Sequence, residues 1–412
     1  MRETRISATY QLDTAMAPEQ AAAIIAGEQS SGTFVPIPGE DEELKARAAA
    51  RFEISPISTE SGPDASPPPV RGEATHSYRL KLSWPLDNVG TSLPNLVATV
   101  TGNLYELKHV AALRLLDIEF PEAFSYAYPG PAYGIAGTRF MSQVYDRSLI
   151  GTIIKPSVGL NPNDTAELVE KLCQGGVDFI KDDELQGDGP GCPFEDRARA
   201  VMRVINRHAD RCGRKVMYAF NLTGELDEMK RRHDLVHALG GTCVMLSLNS
   251  VGLAGFSAFR RHSRLPIHAH RNGWGYLCGG WSYIAWQKLW RLAGVDHMHV
   301  NGLDNKFKES NESVMASARE CLTPMSPEKP CVVMPVFSSG QSAKQVPRTL
   351  QLLGSTDLIY LAGGGILAHP GGIVAGVSAL RQASDAGMAG VPLAVAANTH
   401  RELREALEKF GH

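Results

Sequence analysis

From Gly151 onward the chain keeps one rhythm, and that rhythm restricts its possible folds more than any other feature. Apolar runs of strand length fall at 151–156, 178–183, 215–221, 242–248, 266–271, 297–301, 331–337 and 357–362. Between them lie stretches of helical character, among them Asp164–Gln174, Asp196–Arg211, Leu226–Leu239, Tyr283–Ala293 and Glu312–Cys321. Strands that are apolar throughout fit a parallel sheet covered on its outer face. Eight strand–helix units are the number that closes a (β/α)8 barrel. A doubly wound open sheet shares the alternation but usually has fewer strands. The fold expected for residues 126–412 is therefore the TIM barrel.

Residues 1–125 read differently. Arg5–Leu12 alternates as a strand does, and Pro18–Ala26 forms helix, with the proline tolerated in the first turn. Glu28–Phe34 is a polar loop, and Ser58–Arg71 is rich in Pro, Ser and Gly, as exposed connections are. Strands are expected at His76–Trp84 and Asn95–Thr101, then helical and finally strand character over Tyr105–Phe120. The whole is α/β, an N-terminal α+β (ferredoxin-like) domain followed by the barrel.

Composition excludes several functions. With 412 residues, 43% hydrophobic and 21% charged, the chain is an ordinary globular protein large enough for two domains. A net charge of −3 provides no general attraction to nucleic acid or an anionic membrane. No apolar run approaches the roughly 20 residues that span a bilayer, and MRETRISATYQL lacks the core of a signal peptide. The seven cysteines form no CxxC pair and are odd in number, so they are expected as free, buried thiols in a cytoplasmic chain.

The second strand carries the densest chemistry. In GGVDFIKDDE (Gly175–Glu184), side-chain alternation places Lys181 and Asp183 on one face and Asp182 on the other. A lysine among acidic residues can be an ion pair at a strand end. The alternative is a hard-cation site, because converging carboxylates repel unless a cation lies between them and Mg²⁺ takes such oxygens. An amine supplies no oxygen unless Lys181 becomes a carbamate.

Barrel chemistry belongs at the C-terminal strand ends. Lys155, then Lys181, Asp183 and Glu184, then Asn221, then His268, His270 and Arg271 fall there. His297 and His299, Ser338–Gly340 and Gly363–Gly365 complete the set. Scattered Asn, Ser and Asp would serve equally well if these ends were merely solvated, so the concentration of Lys, His and Gly favours a site. The pairs His268/His270 and His297/His299 could hold zinc with a carboxylate, but nearby lysines and an arginine disfavour that ion; acid–base work or hydrogen bonding suits them better. LAGGGI (361–366) is either a tight turn or a backbone cradle for an anion. Lys306 is a solvated loop lysine or a second cationic contact, and Arg271 can grip a phosphate or carboxylate.

These motifs, in order, carry a resemblance. GTIIKPSVGL, GGVDFIKDDE, HAHR, DHMHVNG, MPVFSSG and LAGGGILAHP resemble the RuBisCO large subunit, as do EQSSGTF and TGNLYELKHVAALRLLDI near the N-terminus. The resemblance implies a Lys181 carbamylated by CO₂ that holds Mg²⁺ with Asp183 and Glu184. Burial would favour the neutral amine that carbamylation needs, against an unperturbed Lys pKa of about 10.4. Lys155 matches the catalytic base and His270 an assistant in proton transfer. Arg271, His299 and Ser338 match one phosphate pocket; Thr33, Lys306, Gly340, Gly363 and Gly364 match the other. Glu28 and Asn103 match residues lent to a neighbouring subunit, which implies a homodimer or higher oligomer with shared sites.

The departures shape the expected activity. Ser157 replaces the second lysine of the carboxylases' KPKLGL, Phe34 replaces a tryptophan, VNGLDNKF replaces a glycine-rich mobile loop, and NGWGYL follows HR. Without that lysine and that loop, closure over CO₂ is compromised. The pattern resembles a RuBisCO-like protein (form IV) that enolises a phosphorylated keto sugar or keto sugar acid, of decarboxylase or enolase type, and does not fix CO₂. The other expectations are a methionine-salvage diketo-methylthiopentyl phosphate enolase, a sugar-phosphate isomerase, a non-catalytic Mg²⁺/sugar-phosphate binding relic and, furthest off, a true carboxylase.

Overall fold

The computed structural model describes residues 4–32, 35, 37–57 and 76–411. The connection expected at Ser58–Arg71, and Thr33 and Phe34, lie outside the described residues. The chain divides into two compact units. The first comprises Met1–Pro129, Gly273–Leu292 and Ser326–Lys329, and the second Gly130–Asn272, Ala293–Met325 and Pro330–His412.

In the first unit, β1 (Arg5–Thr14), β2 (Arg51–Pro56), β3 (His76–Pro85) and β4 (Ala112–Glu119) form an antiparallel sheet of order β2-β3-β1-β4. Alternate residues Ile6, Ala8, Tyr10 and Leu12 of β1 are buried, so one face of the sheet carries core. The strand expected at Asn95–Thr101 is instead a helix, Leu93–Thr101. Its Val and Thr residues suggest β structure, but Leu93, Leu96 and Val100 are buried together at helical spacing, and Ser92 caps Asn95 N–H at 3.4 Å. The Tyr10 hydroxyl ties this helix to the sheet by donating to Val100 O at 2.7 Å.

Tyr283–Ala293 forms the expected helix, yet its residues through Leu292 group with the first unit. Leu115 N–H donates to Gly280 O at 2.9 Å, Lys288 pairs with Asp117 at 2.5 Å, and Trp274, Tyr283 and Trp286 pack ring against ring.

The second unit holds the barrel. Its strands are β5 (Leu149–Ile153), β6 (Phe179–Lys181), β7 (Met217–Asn221), β8 (Cys243–Ser247), β9 (Ile267–His270), β10 (His297–His299), β11 (Met334–Phe337) and β12 (Ile359–Leu361). Each pairs in parallel with the next, and Ile359↔Leu149 closes the ring, so the sheet has no free edge. Leu149, Phe179, Met217, Ala219, Cys243, Met245, Met334, Val336, Ile359 and Leu361 fill the interior. At Gly151 an added Cβ would lie 2.7 Å from Phe179 O and 2.5 Å from a Leu361 methyl, which is why that strand position carries no side chain. All eight expected strands are present, mostly shorter than their apolar runs. All seven cysteines are free; Cys173, Cys243, Cys321 and Cys331 are buried, whereas Cys212 and Cys278 are exposed and Cys192 is half-buried. No described helix is long and apolar enough to cross a membrane.

Candidate active site

The C-terminal end of β6 builds the site. Phe179 points into the barrel core, so Lys181, two residues on, also points inward and is buried. Beyond the strand, Asp182 N–H still donates to Ala219 O at 3.0 Å, so the ladder runs one residue further. Asp182 faces outward: its carboxylate accepts from Tyr218 Oη at 2.5 Å, Asn221 N–H at 2.9 Å and Arg197 Nη2 at 3.3 Å. That satisfied group anchors the turn on which Asp183 and Glu184 stand. Asn221 Nδ2 steadies the same turn by donating to the backbone oxygens of Glu184 and Gln186 at 3.2 and 3.1 Å.

Cations meet both carboxylates. Lys155 Nζ lies 2.5 Å from Asp183 Oδ2 and 2.7 Å from Ser157 Oγ. Lys181 Nζ lies 3.4 Å from Glu184 Oε2 and donates to Asp182 O at 2.8 Å. His270 Nε2 is 3.3 Å from the same Glu184 oxygen. The expected residues Lys155, Lys181, Asp183, Glu184 and His270 are thus brought together.

Their environment sets their charge. Burial pushes the Lys181 amine below its ordinary value, although Glu184 and Asp183 oppose the shift. Burial alone would raise Glu184, but His270 and Lys181 hold it down at about 2. Burial, then the Lys181 charge, lowers His270 to about 4 despite Glu184, so this imidazole is neutral near pH 7. Asn272 N–H donates to His270 Nδ1 at 3.2 Å, which leaves the proton of the neutral ring on Nε2, facing Glu184.

Mg²⁺ fits this donor set. Its preferred ligands are oxygens, Asp183 and Glu184 supply carboxylates, and amines already lie against both as counter-charges. The desolvated Lys181 amine suits carbamylation, which would add a third anionic oxygen donor. A separate trio, His233, Asp234 and His262, lies on outer helices; Asp234 accepts from His262 at 2.7 Å and from His233 at 3.0 Å. His233 Nε2 already accepts from Arg264 N–H at 3.0 Å, so this group is a hydrogen-bonded tie.

The two histidine pairs occupy two depths. His270 and His299 neighbour one another with ring centroids 4.7 Å apart. His268 and His297 sit among core residues: His297 Nε2 is 2.8 Å from Thr138 Oγ1, and both rings pack on Phe179. Strand alternation correctly places each pair on one face, but His268 and His297 belong to the packed interior.

Around His299 the remaining residues form a chain. Ser338 Oγ lies 3.2 Å from His299 Nδ1, and Ser339 Oγ donates to Asn301 Oδ1 at 2.9 Å. Arg271 Nη2 meets Glu309 Oε2 at 3.0 Å, and Asn301 Nδ2 donates to that oxygen at 2.6 Å. Burial, then His270 and His268, pushes His299 well below the ordinary imidazole range. Glu309 and Asn301 were not expected here; Glu309 lies in a loop of mixed charge, 38 positions from its arginine, with no spacing signal to mark it.

Gly340 adopts φ +79°, and a Cβ there would lie 3.8 Å from Lys306 N, so these two expected residues are adjacent. A Cβ on Gly364 would meet nothing within 4 Å, and one on Gly363 only the Ile153 side chain at 3.8 Å, which leaves their backbone open to a ligand. Gly365 instead packs against Gln341 O, where a Cβ would approach to 2.7 Å. In the first unit Asn103 Nδ2 donates to Glu28 Oε1 at 3.4 Å.

A closed parallel barrel that gathers lysines and carboxylates at its C-terminal end, in a chain that also folds an antiparallel α+β unit, defines a barrel enzyme by fold and site. The chain belongs to the ribulose bisphosphate carboxylase large chain family: the catalytic-domain model matches residues 134–410 and the N-terminal-domain model residues 2–124. Within it the chain is 55% identical to a 3-oxo-isoapionate-4-phosphate transcarboxylase/hydrolase of Xanthobacter autotrophicus, over 98% of each chain. It is 43% identical to a 3-oxo-isoapionate-4-phosphate decarboxylase of Rhizobium etli, again over 98% of each. A rubisco-like protein from Burkholderia fungorum superposes with TM-score 0.90 at 44% identity, covering 98% of this chain and 100% of that one. A dimeric archaeal Rubisco from Hyperthermus butylicus superposes at 0.84 with 30% identity, covering 99% and 96%. The chain is an enzyme of the RuBisCO-like branch of that family.

Proposed function

We propose that the enzyme removes the carboxyl group from a phosphorylated 3-oxo sugar acid of the 3-oxo-isoapionate 4-phosphate type, leaving an enediolate that it then protonates. The supporting observation is the cluster at the end of β6, where Lys155 and His270, two proton-transfer groups, lie against the carboxylates Asp183 and Glu184. Carboxylated Lys181, Asp183 and Glu184 would hold Mg²⁺, which supplies electrostatic stabilisation of developing oxyanion charge. Lys155 moves the proton at the carbon beside the ketone, within reach of Ser157 and Asp183. Neutral His270 offers its Nε2–H to a substrate oxygen. The phosphate is held by Lys306, Gly340, Gly363 and Gly364, and the opposite end by Arg271, His299 and Ser338.

The functional domains are residues 1–125 and 126–412, and the active form is a cytoplasmic homodimer or higher oligomer in which Glu28 and Asn103 complete the neighbour's site. The Hyperthermus butylicus Rubisco, named as dimeric, supports that assembly.

The 55% identity to the transcarboxylase/hydrolase favours a second outcome, in which the carboxyl carbon is retained in a product. Substrate labelled with ¹³C in its carboxyl group, incubated with Mg²⁺ and bicarbonate, separates the two. Label appearing as CO₂ is the expected result for the decarboxylase. Label kept in a carboxylate product assigns the transcarboxylase reaction, and unchanged substrate rejects both.

A further inference from the structure

The Arg271 pocket holds a carboxylate of the protein's own, and this bears on which substrates fit. Glu309 is nearly buried, with 13% of its side chain exposed, and Arg271 has 12%. It accepts from Arg271 at 3.0 Å, Asn301 at 2.6 Å and Ser313 at 3.1 Å, so three side chains from separate elements fix its position. The network continues through Asn301 and Ser339 to Ser338, the neighbour of His299. Arg271 contributes one positive charge and Glu309 one negative, and buried His299 is neutral. The pocket is therefore close to electrically neutral. A phosphate dianion needs an excess of positive charge, and Glu309 would stand as a like charge beside it. A hydroxymethyl group can use the Arg271, Ser338 and His299 donors without that repulsion, and a single carboxylate meets about half of what a dianion does while still pairing with Arg271.

We infer that Glu309 is a specificity-determining residue that restricts this end of the site to an uncharged or singly charged group, so that the enzyme takes monophosphates and rejects bisphosphates. The inference deepens the reading above, since it concerns the same site, but it can fail separately because its test measures binding and needs no turnover.

Calorimetric titration of the Mg²⁺- and bicarbonate-treated enzyme with ribulose 5-phosphate and with ribulose 1,5-bisphosphate gives two dissociation constants. The wild type is expected to bind the bisphosphate no more tightly than the monophosphate. Glu309→Gln, which keeps the shape and removes the charge, is expected to shift that ratio toward the bisphosphate by about tenfold or more. Glu309→Asp keeps the charge and is expected to keep the wild-type ratio. A wild type that prefers the bisphosphate overturns the inference, and so does a Glu309→Gln variant that alters both constants equally. Because the wild-type comparison stands alone, the test survives a variant that fails to fold.

Discussion

The two ends of β6 carry the same kind of residue and use it differently. Asp178, just before the strand, accepts from Arg147 at 2.6 and 3.0 Å, from Arg381 at 3.4 Å, from Ile150 N–H at 2.9 Å, and from Arg214. Asp296, just before β10, is held likewise by Arg260 at 3.0 Å and by the backbone N–H groups of Tyr133, Gly134 and Ile267 at 2.6 to 2.9 Å. At the other end of β6, Asp183 and Glu184 meet lysines and a histidine. Arginine keeps its charge and grips in a fixed fork, whereas lysine and histidine can release protons. One end locks the barrel, and the other keeps its charges available for chemistry, as the fold's division between floor and mouth leads one to expect.

That contrast is open to attack from both sides. The largest effect is expected at the mouth: Lys181→Ala should lower kcat by on the order of 10³-fold or more, since the proposed Mg²⁺ site would supply several kcal/mol of charge stabilisation. Its melting temperature should change little by comparison, and calorimetry beside a steady-state assay checks both. At the floor the order reverses. Asp178→Asn leaves three arginines around an uncharged amide and should cost roughly 3 kcal/mol of stability, with turnover per folded molecule retained. The smallest effect is its pH signature. Burial alone would raise the Asp178 carboxyl, but the Arg147 hydrogen bond and the Arg381 and Arg147 charges hold it below 3.8. A carboxylate with a depressed folded pKa contributes stability that is complete above its unfolded pKa and disappears as pH falls toward the folded one. Wild type should therefore lose stability more steeply than Asp178→Asn below about pH 4. Parallel acid-denaturation curves would remove Asp178 from the account.

How much the sequence reveals follows from the same physics. Barrel strands are buried on both faces, so each appears as an uninterrupted apolar run, and all eight could be located. Leu93–Thr101 was misleading because Val97, Thr99, Val100 and Thr101 favour strands, while Ser92 capping and buried Leu93, Leu96 and Val100 decided for helix. Lys155, Lys181, Asp183, Glu184 and His270 stood out because charge at the end of an apolar strand is conspicuous. His268 and His297 share their partners' face but not their depth, and alternation carries no information about depth. Glu309, Asp178 and Asp296 acquire their partners only through tertiary contacts, so no local pattern distinguishes them from solvated acids.

The central claim is that Lys155 moves a proton at the carbon beside a ketone. The most direct measurement is turnover of 3-oxo-isoapionate 4-phosphate in D₂O, with the product's carbon-bound deuterium read by NMR for wild type and Lys155→Met. The account predicts one deuterium at that carbon with wild type, and a rate lowered by about 10²–10⁴-fold in the variant with substrate binding retained. Deuterium entering at the same rate without Lys155 would contradict it.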